Sequence, residues 1–293
     1  MRIGTIGVDS SHLPEFTKRI KALHDEGKTP CKVTHVFDPG GHDLPKAPLW
    51  LEEATQMGVA QVGSIDELLT SIDGVMVLSV NGNKHLAQSL PSLQRGLPTY
   101  IDKPLTCSLA EAKQLLAAAR KSNARCYSAS SLRFAPEVTE MDKASLGSLH
   151  AIDAFGPGSL HQLMEGLFYY GVHTIEMVDA MWGPGVKRVS AIHLPDRDLL
   201  DLDYHDGRYA RLRMERKGSY DFGATVHGDK KAHQFKVDFT PVYMRLIQGM
   251  VRFFEGGDAP APLRDIVENV AVMEAGNLSM KHSGEWIEIE QVS

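Results

Sequence analysis

Two side chains in this chain have the chemistry to handle a hydroxyl proton, Lys103 and His173. The β-branched run Thr99 to Ile101 predicts a strand closed by Asp102-Lys103-Pro104. That places Lys103 at the carboxyl end of a strand, where α/β sheets gather their ligands. A lysine partly buried beside a second positive charge gives up its proton more readily, so it can orient a hydroxyl and help its proton leave. A histidine titrates near neutrality and is the better general base. Tyr169, His173 and Glu176 fall at i−4, i and i+3 of a predicted helix, Leu167 to Met181, which puts all three on one face. Glu176 is then expected to orient the imidazole, and Tyr169 to act as a second donor. The bland alternatives are a solvated lysine before a turn, a satisfied core histidine and plain core aromatics. Arg133 is a lesser candidate for touching substrate or cofactor, set against an ordinary ion pair.

A second group of residues has the makings of an anion site. A strand that enters a tight turn and then a helix presents free N–H groups and about half a unit of positive charge. Here the turn reads Gly7-Val8-Asp9-Ser10-Ser11-His12. The usual dinucleotide fingerprint has three glycines there. This chain keeps Gly7 and places Asp9 and His12 at the second and third positions. A carboxylate about 4 Å from a phosphate would repel it by a few kcal/mol at intermediate dielectric. Alternatively Asp9 turns away and caps the helix, leaving Ser10 and Ser11 to meet phosphates. Asp38, at the end of a predicted strand Lys32 to Phe37, is placed to accept hydrogen bonds from a ribose diol. An acid there favours NAD(H) over NADP(H), because a 2′-phosphate would be repelled.

The elements that must carry these residues follow from the hydrophobic pattern. Strand-like runs at Arg2 to Val8, Lys32 to Phe37, Gly74 to Val80 and Thr99 to Ile101 alternate with helical ones at Leu13 to Leu23, Ile65 to Ser71, His85 to Arg95 and Leu109 to Lys121. That alternation predicts a Rossmann-type doubly wound parallel sheet over residues 1–125. Residues 126–293 read differently. Ser148 to Phe155 and Val186 to Leu194 flank the Leu167 helix. Runs at Leu200 to Tyr204, Tyr209 to Glu215, Gly223 to His227 and Ala232 to Asp238 follow, with a hairpin turn at Asp206-Gly207. Helices at Val242 to Phe254 and Leu263 to Met280 and a strand at Trp286 to Val292 close the chain. The second half is therefore expected to be an α+β domain with an open, mainly antiparallel sheet. Its closing helices are candidates to pack back on the first half. One open sheet face suits pairing with another copy, so a homodimer or homotetramer is expected.

Composition narrows the partners. With 293 residues, 43% apolar and 23% charged, two ordinary domains are the natural division. A net charge of −6 leaves no basic stripe for a nucleic acid. The 13 histidines and the cysteines Cys31, Cys107 and Cys126 lack metal-ligand spacing, and the thiols read as reduced, in a cytoplasmic protein. No run is apolar and long enough to span a bilayer.

Taken in order, these segments resemble the glucose-fructose oxidoreductase and inositol dehydrogenase family, written Gfo/Idh/MocA. Members typically carry Glu-Lys-Pro at the end of the fifth strand, here Asp102-Lys103-Pro104. Asp73 to Val77, and Asn83 to Gly96 with His85, resemble the fourth strand and following helix. Ser131-Leu132-Arg133-Phe134 with Pro136 resembles the domain-crossing segment. Gly171-Val172-His173-Thr174-Ile175-Glu176 resembles the Gly-x-His-x-x-Asp motif, and the tail from Phe253 to Ser279 resembles the closing helices. Many relatives have an aspartate four residues before the motif histidine, where this chain has Tyr169. The resemblance implies a bound dinucleotide, with Asn83, His85, Asp102 and Lys103 joining Gly7, Asp9, Ser10, Ser11 and Asp38 around it. It also implies a carbohydrate or polyol held by Lys103, Arg133, Tyr169, His173 and Glu176. The expected activity is alcohol–ketone oxidoreduction. Two alternatives stand beside it: a retained cofactor used for transient oxidation before elimination or hydrolysis of a glycoside, and a sugar-binding pseudo-enzyme that has lost the dinucleotide.

Overall fold

The structure, a computed structural model, describes residues 1–289. The chain divides into two compact units: residues 1–106, 110–129 and 246–263 form one, and residues 107–109, 130–245 and 264–293 the other.

The first unit is built on β1 (Arg2–Ile6), α1 (His12–Asp25), β2 (Lys32–Phe37), α2 (Ala47–Gln56), β3 (Ala60–Val62), α3 (Ile65–Thr70), β4 (Gly74–Val77), α4 (His85–Gln94), β5 (Thr99–Ile101), α5 (Leu109–Ser122) and β6 (Cys126–Ser128). Its six strands lie in the order β3-β2-β1-β4-β5-β6, and every pairing is parallel. The order reverses between β1 and β4, which makes the carboxyl edge of those two strands the switch point. β4 and β5 are buried at every position, as strands covered on both faces must be. In α1, Leu13, Phe16, Ile20 and Leu23 repeat at helical spacing and are all buried. Ser64 caps α3 by accepting the Glu67 N–H at 3.1 Å. Two elements of this half escape the hydrophobic pattern, α2 and β3. The segment between β2 and α2 is rich in Pro and Gly, and β3 is a three-residue edge strand with no buried position. The sixth strand, β6, is likewise not among those read from the sequence.

The second unit carries α6 (Pro136–Thr139), α7 (Lys143–Leu146), β7 (Leu149–Pro157), α8 (Gly171–Trp182), β8 (Val186–Leu194), β9 (Arg197–Tyr204), β10 (Tyr209–Glu215), β11 (Gly223–Gly228), β12 (Ala232–Lys236), α10 (Leu263–Lys281) and β13 (Ile287–Glu288), whereas α9 (Val242–Phe254), which precedes α10, belongs to the first unit from Leu246 on. Its seven strands run β12-β11-β7-β10-β9-β8-β13. All the pairings are antiparallel except that of β7 with β10, so the open sheet is mixed rather than purely antiparallel. Strict alternation of buried and half-exposed residues along β9 shows one face covered and one face open. The open face carries cross-strand ion pairs, Arg211 with Asp201 and Arg188 with Asp203. Of the closing strand expected at Trp286 to Val292, Ile287–Glu288 is seen and residues 290–292 lie outside the described part.

The helix expected from Leu167 is shorter than its pattern. A 3₁₀ turn spans Gly166–Phe168, Gly166 takes a left-handed φ of +45°, and α8 begins only at Gly171. Tyr169 therefore sits on the connection and does not share a helical face with His173 and Glu176.

The core of the first unit is an aromatic stack. Phe16, Tyr100, Tyr127 and Phe253 follow one another at ring-centre distances of 6.3, 5.2 and 4.7 Å. Phe253 is fully buried. Truncating such a ring leaves a cavity as well as lost burial. Phe253→Ala is expected to lower unfolding free energy by about 3–5 kcal/mol in urea titration.

Candidate functional site

In the first unit, β1 delivers the chain to Gly7, whose φ is +93°. A Cβ here would lie 2.4 Å from Ser79 Oγ and 2.5 Å from Ser79 N, so only glycine fits. Asp9 does turn away from the helix, but it does not cap it. Its buried carboxylate accepts the Val80 N–H at 3.1 Å and the Asp43 N–H at 3.3 Å, and Lys84 Nζ stands 3.6 Å away. Backbone donors on two neighbouring loops, with an ammonium beside them, outcompete the helix end. Ser10 does the local capping, its Oγ accepting the His12 N–H at 3.1 Å. The Ser10 and Ser11 N–H groups make no hydrogen bond within the described chain. They remain as donors at the start of a 14-residue helix.

His12, at the fingerprint's third glycine position, reaches across to β5. Its Nδ1 lies 2.5 Å from Asp102 Oδ2, and its ring stacks on Phe16 with centres 4.6 Å apart. Asp102 is buried and also accepts the Lys103 N–H at 2.9 Å and the Tyr100 hydroxyl at 3.3 Å. Burial opposes its ionisation, yet the facing His12 ring and the Lys103 charge outweigh that and hold the carboxyl down at about 2. Lys103 itself is 9% exposed, at the start of a cis Lys103–Pro104 bond. Asp38 sits at the end of β2 as expected, with Oδ1 taking the Gly40 N–H and His42 Nε2, both at 2.8 Å. Asn83 is exposed beyond the end of β4.

His85, expected as a cofactor contact, is instead a buried strut. It is fully enclosed, its Nε2 meets Ser79 O at 2.7 Å and its Nδ1 meets Pro104 O at 2.8 Å. Both nitrogens are spent joining the loop after β4 to the turn after β5. The sequence reading also missed Lys84, which stands between Asn83 and His85. Its signal was available as a cation at the N-cap of α4, where the helix dipole disfavours positive charge.

In the second unit, α8 places His173 two residues from its start. Its Nδ1 lies 2.8 Å from Ser130 Oγ, a residue the sequence reading did not single out. Glu176, expected to orient the imidazole, acts at one remove. Its Oε2 accepts the Ser130 N–H at 2.8 Å and faces Arg133 Nε at 3.4 Å. Arg133, expected to touch substrate or cofactor, is 8% exposed and committed to internal ion pairs with Asp179 and Glu176. Asn269 completes this cluster by donating to Asp179 at 3.2 Å. One guanidinium thus serves two buried carboxylates. Burial pushes the Glu176 carboxyl up to about 7, against the pull of Arg133 and the Ser130 N–H. Tyr169 and His173 each pack against the ring of Tyr170. Ring centres run His161, Tyr169, Tyr170, His173 and Phe222 at 4.9, 5.1, 5.3 and 6.0 Å. Burial raises both tyrosine phenols, so they are hydrogen-bond donors at neutral pH.

Residues 1–130 match the family model described as GFO_IDH_MocA, oxidoreductase family, NAD-binding Rossmann fold. That match covers the first 130 of the 293 residues, the dinucleotide-binding part of an oxidoreductase family. Solved structures agree on the fold along the chain's whole length. GenD2 from gentamicin A biosynthesis, solved with NAD, is 16% identical with a TM-score of 0.83, over 99% of this chain and 96% of that one. The WlbA dehydrogenase of Bordetella pertussis, solved with NADH and UDP-GlcNAcA, is 14% identical with a TM-score of 0.80, over 99% and 98%. The UDP-N-acetylglucosamine 3-dehydrogenase GnnA of Acidithiobacillus ferrooxidans is 15% identical with a TM-score of 0.78, over 96% and 98%. No curated protein matches the chain in sequence. Among the described residues, no helix is long and apolar enough to cross a membrane.

Glu176 gives this cluster a pH signature. A carboxyl raised from 4.5 to about 7 holds its proton better in the folded chain. Its contribution to stability is complete below pH 4.5 and is lost as pH rises through about 7. Subtracting the urea stability profile of Glu176→Gln from that of wild type should leave a slope of up to about 1 kcal/mol per pH unit across that window. A flat difference would mean that Glu176 titrates in the folded chain as it does in the unfolded one.

Proposed function

We propose that this protein interconverts a secondary alcohol and a ketone on a sugar, polyol or glycoside, with NAD(H) preferred to NADP(H). The observation that carries the reading is the loop after β1. Asp9 is drawn off into neighbouring backbone, which leaves Gly7 and the Ser10 and Ser11 N–H groups at the start of α1 for a diphosphate. Asp38 at the end of β2 suits a ribose diol and would repel a 2′-phosphate. These residues fit a dinucleotide, with Asn83, Asp102 and Lys103 nearby on the same sheet edge. The sugar class is supported by the neighbours, among them a UDP-N-acetylglucosamine 3-dehydrogenase.

In this reading residues 1–125 bind the dinucleotide and residues 126–293 supply the substrate-binding and oligomerisation half. When bound, NAD accepts the hydride that leaves the carbinol carbon. The protein's task is the proton. Lys103 orients the hydroxyl and lowers the cost of its ionisation by holding positive charge beside the developing oxyanion. His173 takes the proton. For that, its Nδ1 carries the hydrogen and donates to Ser130 Oγ, which makes Nε2 the nitrogen that accepts the proton. Glu176, through the Ser130 N–H, keeps that serine where the ring needs it. Tyr169 and Tyr170 offer phenol donors and ring faces to a polyhydroxylated substrate. The open face of the seven-stranded sheet is the surface for a second copy.

NADH should quench tryptophan fluorescence or raise the melting temperature, and NADPH should do so more weakly. No shift with any of the four nicotinamide dinucleotides would refute the reading in favour of a sugar-binding protein without a cofactor. With a substrate found from a panel of polyols and glycosides, Lys103→Ala should lose about 10²-fold or more in kcat while still binding NADH. His173→Asn should likewise lose about 10²-fold or more in kcat. Ordinary turnover in either variant would remove that residue from the mechanism.

A further inference from the structure

The Asp9 carboxylate poses a charge problem that the local structure answers with one side chain. Among the described residues, Lys84 carries the one cation within 4 Å of it, at 3.6 Å. The same Nζ lies 3.2 Å from Asp43 Oδ2 and donates to Gly41 O at 2.7 Å. Lys84 thereby ties together the loops that follow β1, β2 and β4, all at the carboxyl edge of the sheet around its switch point. It does so from the N-cap of α4, where the helix dipole works against an ammonium. The two acids facing it, whose side chains are 3% and 7% exposed, are the compensation. The tie also reaches Asp38. The β2–α2 loop that Lys84 holds by Gly41 and Asp43 is the loop in which Asp38 binds the Gly40 N–H and His42.

We propose that Lys84 is a cofactor-positioning residue that acts through Asp9. Its ammonium neutralises the carboxylate standing at the fingerprint's second glycine position, so that the diphosphate of a dinucleotide can approach the start of α1. In the same stroke it fixes the loop that presents Asp38. The fingerprint is thus altered rather than lost: a glycine's absence of charge is replaced by a paired charge. The inference rests on the dinucleotide reading above and goes beyond it by naming the residue that makes Asp9 compatible with an anion.

The test is a double-mutant cycle on the full chain, read by NADH affinity in fluorescence or calorimetric titration. Lys84→Met should weaken NADH binding about tenfold or more, because Asp9 regains its repulsion. In an Asp9→Asn background the same substitution should cost less than about threefold, because the carboxylate at the second fingerprint position is gone and only Asp43, in the β2–α2 loop, loses its counter-charge. Lys84→Arg keeps the charge and is expected to stay within about threefold of wild type, which a role in packing alone would not predict. Unchanged affinity in Lys84→Met overturns the proposal. So does a loss that is just as large when Asp9 is Asn, or a tenfold loss in a folded Lys84→Arg chain. A wild-type chain that binds no NADH sinks the dinucleotide reading and this proposal with it. A wild-type chain that binds, beside a Lys84→Met variant that binds equally well, sinks this proposal alone.

Discussion

A carboxylate buried at the edge of a parallel sheet, where a helix start invites anions, has to be paired before the site can serve any purpose. The first unit is arranged around that constraint. Gly7 can take its left-handed turn only because it lacks a Cβ, and the turn brings Asp9 against Val80 and Asp43. Those bonds satisfy the oxygens but not the charge. Lys84 supplies the charge, and in supplying it joins three loops whose strands are already neighbours in the sheet. The loop geometry, the placement of Asp38 and the open Ser10 and Ser11 N–H groups before α1 are all consistent with where this one carboxylate points.

The second unit solves a related problem in the other direction. Arg133 faces two buried acids, and a single positive charge cannot neutralise both. The surplus is relieved by protonation: Glu176 is held near 7 by its burial. The consequence reaches His173, because the oxygen that titrates beside Arg133 also holds the Ser130 N–H, and Ser130 holds the imidazole. His173, the proposed base, therefore has a positioning chain whose last member, Glu176, changes charge near neutrality. An acid fully ionised at neutrality would hold Ser130 equally well but would leave the cluster with an uncompensated buried charge.

Much of this was legible in the sequence, for identifiable reasons. Strands β2, β8 and β10 and helix α9 carry unbroken periodicity, and the structure begins and ends them at the residues the pattern indicates. Lys103 at a strand end and His173 in a helix follow from the same patterns. What the pattern could not give was tertiary choice. For Asp9 the sequence leaves two readings, a repulsive carboxylate and a cap, because it shows only its neighbours, while its partners Val80, Asp43 and Lys84 arrive from two other loops. For Arg133 the sequence offers a ligand contact and an ion pair side by side, and the carboxylates that decide for the ion pair are more than forty positions away. Tyr169 was placed on the helix because aromatic spacing continues through Gly166 to Tyr170, whereas the backbone does not. α2 and β3 were hidden by a Pro- and Gly-rich approach and an edge strand without a buried face.

Two departures from the family pattern that read as separate defects in the sequence are one interaction in space. The family's third fingerprint position is glycine, here His12, and its strand-end acid is glutamate, here Asp102. Their side chains meet at 2.5 Å. A glutamate at position 102 would carry its carboxylate one methylene, about 1.5 Å, further into the ring of His12. A glycine at position 12 would leave Asp102, 2% exposed, without the group that does most to keep it ionised. Each substitution is costly beside the family's usual partner and favourable beside the other. The same reasoning applies to Asp9 and Lys84: residues that break a motif singly can keep its chemistry when they are read as pairs. A fingerprint scored position by position counts such pairs as losses. Counted by charge and reach, the site still has a glycine turn, open N–H donors before a helix and an acid at the end of β2, with Asp9 paired to Lys84 and Asp102 to His12.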